Sequence, residues 1–264
     1  MGKVIVTDKR KAAWSDQYDL GRESANTRPA IIIGERRAGG TLMACCLSNH
    51  PEIFCDRWEP LNSGSLWYRM FPGDVGRLHL LLHQPYYKVS MCKLLPQHTW
   101  RKPVARYLKR HRPPVRMIHV YRENILAQAV SCVINLHSRK YKMGHPTHVF
   151  EPTELAPVKL IPADVVAWCV ASFNHHRRAT KWANRMQLPI LPVSYEAMTG
   201  NIDTGQLPDN LSRRICEFLR VSDEPLYTRM HKVHVPELSE VVANWPEVVE
   251  AVAQSDYAKY LEMK

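Results

Sequence analysis

The sequence lacks a long apolar segment. No run of about 18 apolar residues, the length that spans a bilayer, occurs among its 264 residues. The first fourteen residues, MGKVIVTDKRKAAW, also lack the apolar core of a secretory signal peptide. These absences exclude a membrane-spanning protein, and we expect a cytoplasmic one.

Short-spaced cysteine pairs are absent as well. The chain has seven cysteines, none of them in a C-x-x-C pair and most of them in apolar segments. This pattern predicts reduced thiols in the core. His145 and His148 form an H-x-x-H pair, but no convincing third ligand lies nearby, so no metal site is predicted.

Acidic residues are few relative to basic ones. The chain carries 36 Lys and Arg against 25 Asp and Glu, a formal charge of +11, and its pI is about 9.4. This excess predicts an anionic ligand, but it does not choose among a nucleotide, a nucleic acid, a membrane surface and a sulfated glycan. The hydrophobic content of 45% is enough for one sizeable α/β domain.

One stretch, AIIIGERRAGGTL at 30–42, combines three local signals. The apolar run from Ala30 to Ile33 predicts a strand, the basic segment from Gly34 to Gly40 predicts a loop, and Thr41 opens an apolar series with helical spacing. A strand, loop and helix in this order direct backbone N–H groups and the positive end of the helix at an anion.

The loop lacks the lysine of a Walker A motif. Gly34, Gly39 and Thr41 match three of the four fixed positions of G-x-x-x-x-G-K-[ST], but Gly40 stands where the lysine should be. A triphosphate would therefore lack its main counter-charge. Two arginines inside the loop instead suit an anion with one 5′-phosphate and a further charged group beside it. An ordinary glycine-rich turn is the alternative.

A later strand lacks the Walker B aspartate. The apolar segment at 115–120 predicts a strand, which runs into YREN at 121–124 and then into a helix predicted from Ile125 to about Leu136. A Walker B strand ends in an aspartate that helps to hold magnesium, whereas this strand ends in Arg122. Together, the two missing residues argue against ATP or GTP as a substrate.

Several motifs occur in a fixed order along the chain. They are RAGGTL at 37–42, HP at 50–51, EP at 59–60 and YRENILAQAVS at 121–131. This series resembles the motifs of PAPS-dependent sulfotransferases, and its wording is most similar to that of the bacterial trehalose and carbohydrate types. The family pattern has hydroxyl residues where this sequence has Ala38 and Gly40.

The resemblance implies a site for the donor 3′-phosphoadenosine 5′-phosphosulfate (PAPS), with PAP as the product. In the family, the loop holds the 5′-phosphosulfate, an arginine and a serine hold the 3′-phosphate, and a tyrosine lies near the adenine. The residues implied for donor binding are Arg37, Ala38, Gly39, Gly40, Thr41, Leu42, Arg122, Ser131 and Tyr195.

The resemblance also implies two catalytic residues. Glu59 matches the glutamate that carbohydrate-type and bacterial members use as a general base. Lys93 matches the lysine that offsets the charge growing on the leaving phosphate. In the cytosolic animal members a histidine near this lysine is the base, but Leu95 occupies that position here, which strengthens the case for Glu59.

Alternating strands and helices predict an α/β, P-loop NTPase-like three-layer fold, in which helices flank a central parallel sheet and the ligand lies at its carboxyl edge. We expect a polar leader over 1–29 and a single domain over 30–264. The acceptor wall is expected in 61–87 and a flap in 137–161. Candidates to close over the 3′-phosphate are Arg229, His231 and Lys232.

The sequence thus predicts a metal-independent sulfotransferase that sulfates a hydroxyl of a carbohydrate, a lipid or a small natural product by in-line displacement. No nucleic-acid partner is expected, because no recognised nucleic-acid module appears. Two alternatives stay open: a P-loop kinase with an altered Walker A motif, and a non-enzymatic polyanion binder that uses the basic stretches at 101–116 and 137–142.

Overall fold

Five short apolar segments pair as one parallel sheet. The computed structural model describes residues 27–56, 59–62, 73–111, 113–140, 157–199, 205–228 and 237–263. Within these ranges the strands are β1 (Arg28–Gly34), β2 (Ile53–Asp56), β3 (Val89–Leu94), β4 (Arg116–Tyr121) and β5 (Ile190–Ser194). They lie in the order β2-β3-β1-β4-β5, and each neighbouring pair is parallel.

Helices occupy both faces of this sheet. They are α1 (Gly40–Leu47), α2 (Asp74–Leu82), α3 (Pro96–Thr99), α4 (Lys102–Arg110), α5 (Ile125–Lys140), α6 (Pro162–Met186), α7 (Tyr195–Thr199), α8 (Asp209–Leu219), α9 (Leu238–Val241) and α10 (Trp245–Ala253), and a 3₁₀ turn (Ala258–Leu261) follows. Helices α1 and α8 pack on one face, and α2, α4 and the end of α6 pack on the other.

The central strand shows why both faces are covered. Successive side chains of a strand point to opposite faces, so Ile32 packs with α1 and α8 while Ile31 and Ile33 pack with α2, α4 and α6. All three are fully buried. Such a continuous apolar run is typical of a parallel strand buried on both sides. The predicted α/β three-layer fold is confirmed.

A third apolar cluster lies beside the sheet and fixes the position of α6. Leu126 and Val130 of α5 pack there against Val165 and Cys169 of α6. Helix α10 and the 3₁₀ turn complete this cluster. As a result, the middle of α6 lies next to the loop that joins β1 to α1.

Three predicted boundaries differ from the structure. The segment at 87–92 predicts a strand that ends before Lys93, but Lys93 lies inside β3. Helix α5 continues through Lys140, so the first residues of the predicted flap at 137–161 are helical. The basic stretch at 97–112 predicts a helix interrupted at Pro103. Pro103 instead lies in the first turn of α4 and does not interrupt it, because a proline there removes no intrahelical hydrogen bond.

The cysteines and the helices agree with two expectations from composition. All seven cysteines are buried and none of them forms a disulfide, which confirms the predicted core thiols. Across the described ranges, no helix is both long enough and apolar enough to cross a membrane. The proposed division into a leader at 1–29 and one domain stays a prediction, because residues 1–26 lie outside the described part.

Candidate functional site

The loop between β1 and α1 has a shape that depends on Gly39. Its φ is 93°, in the left-handed region, and a Cβ there would lie 2.6 Å from Tyr195 Cδ2 and 2.7 Å from Met198 Cε. The backbone therefore packs directly on α7, and a larger residue would have to displace that helix.

The start of α1 offers the backbone donors that the sequence predicts. Met43 donates the first bond of this helix, to the carbonyl of Gly39 at 3.0 Å. The N–H groups of Gly40, Thr41 and Leu42 precede it and have no acceptor within the helix. The side chain of Leu42 is buried in the core, so its backbone N–H is what it offers to an anion.

Helix α5 holds the loop through three side chains on one face. Gln128 Nε2 donates to the carbonyl of Arg36 at 2.9 Å, and Cys132 Sγ lies 3.6 Å from the same oxygen. Between them, Ser131 Oγ accepts a hydrogen bond of 2.8 Å from Arg37 Nε. The structure thus joins the arginine of the first predicted phosphate motif directly to the serine of the second.

Arg122 and Tyr195, both predicted at the donor site, lie against each other. The guanidinium carbon of Arg122 is 4.8 Å from the centre of the Tyr195 ring. Its Nε is 3.6 Å from Glu196 Oε1, and burial lowers its pKa, an effect that Tyr195 and Glu196 partly oppose. Glu196 also accepts the N–H groups of Glu123 and Asn124, at 2.9 Å and 3.3 Å, and so holds the turn that leads into α5.

Lys93 reaches the loop from the neighbouring strand. Its Nζ lies 2.7 Å from Thr41 Oγ1 and 3.1 Å from Glu59 Oε1. A Cβ on Gly40 would lie 3.2 Å from Lys93 Cδ, so the glycine leaves room for the lysine stem. The cation that the loop lacks is therefore supplied by β3, and both predicted catalytic residues lie together beside it.

Glu59 is an ionised carboxylate in this arrangement. Burial alone would raise its pKa, but the charge of Lys93 and hydrogen bonds from Lys93 and Asn62 outweigh it, so its pKa lies below the ordinary value. Asn62 Nδ2 lies 3.3 Å from Glu59 Oε2. Glu59 is thus ready to accept a proton at neutral pH.

His98 is a neighbour of Glu59 that the sequence analysis missed. It is 4% exposed, and burial, helped by the charge of Arg101, lowers its pKa to about 4. Its Nδ1 accepts the N–H of Leu95 at 3.3 Å. His98 is therefore neutral with its proton on Nε2, so it can donate a hydrogen bond near Glu59.

Glu35 and His175 form a second pair that the sequence analysis missed. Glu35 Oε2 lies 2.5 Å from His175 Nδ1, and Glu35 Oε1 accepts the N–H of Arg36 at 2.9 Å. Both residues line a pocket beside the loop that also borders Ala38 and Arg122. The sequence signal that could have pointed to this pair was Glu35, which directly follows Gly34, the last residue of β1.

Other predicted features fall partly or wholly outside the described residues. In the predicted acceptor wall at 61–87, α2 buries Leu78, Leu81 and Leu82 in the core, whereas Tyr86 is exposed, and the wall itself stays a prediction. Residues 63–72 and 141–156 are not described, nor are Arg229, His231, Lys232, His145 and His148. Among the residues that are described, no group of three or more His, Cys, Asp or Glu could hold a metal ion.

Comparison with solved structures gives distant likenesses in fold. No protein-family model matches the chain, and no curated protein matches it. A solved structure, the "Crystal Structure of Sulfotransferase from Alicyclobacillus acidocaldarius", is 14% identical, with 89% of this chain and 99% of that chain covered and a TM-score of 0.49. Such a likeness describes the path of the chain, so function is inferred from the side chains above.

Proposed function

We propose that this protein is a sulfotransferase that transfers a sulfuryl group from PAPS to an acceptor hydroxyl. The observation that carries this proposal is the hydrogen bond of 2.8 Å between Arg37 and Ser131. This bond joins a loop residue to a helix residue 94 positions away, and it supports the proposal that the two motifs form one donor site. A donor with a 5′-phosphosulfate and a separate 3′-phosphate is the ligand that such a double site suits.

In the proposed donor complex, Arg37 and the backbone N–H groups from Gly39 to Leu42 hold the 5′-phosphosulfate. Arg122 and Ser131 hold the 3′-phosphate, for which the forked guanidinium is well shaped. The ring of Tyr195, which already packs on Arg122, lies near the adenine. Ala38 contributes backbone only, since its side chain is a buried methyl group.

The proposed reaction is an in-line displacement at sulfur. Glu59 takes the proton of the acceptor hydroxyl as that oxygen forms a bond to sulfur. The bond between sulfur and the bridging oxygen of the 5′-phosphate breaks, and PAP leaves with the electron pair. Lys93, 3.1 Å from Glu59 Oε1, stabilises the charge that develops on the bridging oxygen.

Two features disfavour the kinase alternative. Thr41 occupies the Walker position whose hydroxyl would bind magnesium, but its Oγ1 is bonded to Lys93 Nζ at 2.7 Å. Strand β4 is followed by Arg122, which supplies no carboxylate for the metal. The polyanion-binding alternative retains the exposed cations of α4, which are Lys102, Arg106, Lys109 and Arg110.

The proposal is tested by calorimetric titration of the full chain with PAP, and with ADP and ATP in the presence of magnesium. We expect micromolar or tighter binding of PAP and much weaker binding of both nucleotides that lack a 3′-phosphate. Arg122→Ala should abolish this preference, because it removes the guanidinium that pairs with that phosphate. PAP that binds no better than ADP would overturn the proposal.

A further inference from the structure

The positive charge of this protein is concentrated in one part of the chain. Residues 75–122 contain eleven Lys and Arg and no Asp or Glu. The remaining residues carry 25 cations and 25 anions, so this segment accounts for the whole formal charge of +11. Such a concentration of one sign favours a negatively charged partner for the surface that carries it.

Helix α4 arranges cations of this segment along one line. Lys102, Arg106 and Arg110 recur every four residues, so they lie on one face of the helix, and all three are exposed. Val104 and Leu108, on the opposite face, are buried in the core. The helix therefore presents to solvent a line of charge about 12 Å long.

These three cations have no carboxylate partner in the described part of the chain. None of them forms an ion pair there, and α4 itself contains no Asp or Glu. Arg101, just before the helix, differs from them because it pairs with Asp74 at 2.7 Å. The line of charge on α4 is thus not neutralised by the described residues.

Helix α8, on the other face of the sheet, gives the contrast. Its exposed charged positions carry both signs, and they are Asp209, Arg213, Arg214 and Glu217. Arg213 also pairs with Asp223 at 3.3 Å. Such mixed charges stabilise a solvated helix by themselves, whereas the like charges of α4 repel one another until a negatively charged partner binds.

The chemistry of the α4 face favours a lipid surface over a nucleic acid. Proteins that bind single strands use a groove with aromatic side chains on which bases stack, and proteins that read base pairs also use amide and hydroxyl side chains. The exposed positions of α4 are cations and Pro103. A line of cations on a convex helix can instead lie against a flat layer of anionic headgroups.

An exposed aromatic side chain lies near one end of this line. Tyr86 is 81% exposed, more than any other large hydrophobic side chain in the described ranges. It follows His83 by three residues, and the His83 ring stacks on that of His111, directly after α4, with centres 4.9 Å apart. Three residues span at most about 10 Å. Tyrosine is enriched where a membrane meets water, because its ring is apolar and its hydroxyl is polar.

We propose that the exposed face of α4, together with Tyr86, binds the surface of an anionic membrane. Lys102, Arg106 and Arg110 contact the headgroups, and the Tyr86 ring enters the layer between headgroups and acyl chains. None of these residues is assigned to PAPS or to the reaction. The inference therefore goes beyond the proposed function and does not depend on it.

The test is sedimentation of the full chain with vesicles of phosphatidylcholine, prepared with and without phosphatidylserine. We expect binding only to the vesicles that contain phosphatidylserine. This binding should weaken as salt is added, because salt screens the attraction between exposed charges. Equal binding to both kinds of vesicle, or binding to neither, would overturn the proposal.

Matched double variants locate the surface. Arg106→Gln/Arg110→Gln should weaken binding to phosphatidylserine vesicles about 25-fold, since each cation near such a surface contributes about a factor of five. Arg213→Gln/Arg214→Gln removes the same charge from α8 and should leave binding nearly unchanged. Equal losses would show that net charge alone matters, and they would contradict the assignment to α4. Thermal unfolding checks that both variants are folded.

Tyr86→Ser tests whether the partner is a membrane. This variant should bind phosphatidylserine vesicles less tightly, while Tyr227→Ser, which changes a tyrosine that is 48% exposed, should not. Single-stranded DNA is the rival ligand, and Tyr86→Ser should not alter any affinity for it. The choice of a membrane would be wrong if Tyr86→Ser bound the vesicles as the wild type does.

A nucleic-acid surface gives a different set of results. In that case Arg106→Gln/Arg110→Gln would lose affinity for single-stranded DNA and not for the vesicles, which would overturn the proposal. PAP affinity should equal that of the wild type in every one of these variants. The vesicle results are therefore independent of whether the proposed sulfotransferase function is correct.

Discussion

The two sides of the loop at 35–39 differ in how completely their polar atoms are paired. On one side, Lys93 Nζ lies within 3.1 Å of both Thr41 Oγ1 and Glu59 Oε1, and Asn62 supports the other oxygen of Glu59. On the other side, Ser172 Oγ and His176 Nδ1 are buried without a hydrogen-bond partner in the described part of the chain. Both sides border the same strand ends.

This difference indicates two kinds of task. Charged groups that already have the geometry a reaction needs reorganise little when the reaction takes place. Such preorganisation is typical of a catalytic site. Unpaired buried groups cost stability in the free protein, and a ligand that pairs with them recovers that free energy on binding. We therefore assign the proposed chemistry to the side of Lys93, and the unpaired atoms on the side of Ser172 to contact with a small bound molecule such as water.

The strongest test of the paired side is Lys93→Met, which keeps an unbranched side chain and removes the charge. We expect turnover, measured as PAP release from PAPS with water as acceptor, to fall by about a hundredfold or more. Lys88→Met is the control, because Lys88 pairs with Glu52 on the amino side of the sheet. Equal losses in the two variants would contradict the catalytic role.

The same variant makes a prediction about pH. In the wild type, Lys93 holds the pKa of Glu59 below its ordinary value of 4.5, so the carboxylate stays ionised until the pH falls through that lower value. Without Lys93, burial is the largest effect on Glu59 and raises its pKa. As the pH is lowered, turnover should therefore begin to fall at a higher pH in Lys93→Met than in the wild type. If both proteins lose turnover at the same pH, protonation of Glu59 is not the cause of the loss.

The second test is Glu59→Gln, which keeps the shape of the side chain and removes its ability to accept a proton. Turnover should fall on the order of a hundredfold, while PAP affinity stays the same. Glu52→Gln is the matched control and should leave turnover unaltered, since Glu52 lies at the opposite end of β2. Wild-type turnover in Glu59→Gln would remove this residue from the proposed role.

The third test addresses the loop that separates the two sides. Gly39→Ala should lower the free energy of unfolding by about 2 kcal/mol and weaken PAP binding, because φ is 93° and a Cβ would collide with Tyr195 and Met198. At Gly40 the nearest obstacle is the flexible stem of Lys93, 3.2 Å from a Cβ. Gly40→Ala should therefore change stability by less than about 1 kcal/mol. Urea unfolding of both variants measures the two losses of stability. Equal losses would contradict the prediction.

The fold could be predicted from the sequence because its signals are local. Apolar runs such as that of Ala30 to Ile33 and helical spacing such as that of α6 depend on neighbouring residues alone. The loop motif could be identified in the same way. By contrast, the ends of β3 and α5 were misplaced by a few residues, since packing against other elements decides where they stop.

The site was predicted where a motif marked it and missed where it depended on two distant residues. Glu59 and Lys93, both identified by resemblance, lie 3.1 Å apart. His98 and the pair of Glu35 and His175 carry no motif, and a lone glutamate or histidine in a sequence is more often a surface group. Their relation follows only from the packing of α3 and α6 over the strand ends.

By itself, the sequence determined that strands alternate with helices, that a glycine loop follows the first strand and that this loop has no lysine. Tertiary structure decided how the missing charge is supplied, because Lys93 reaches Thr41 across 52 positions of the chain. It also joined Arg37 to Ser131, 94 positions apart, and enclosed the pocket of Ser172. Such contacts depend on how β3, α5 and α6 pack around β1, which no local pattern of residues specifies.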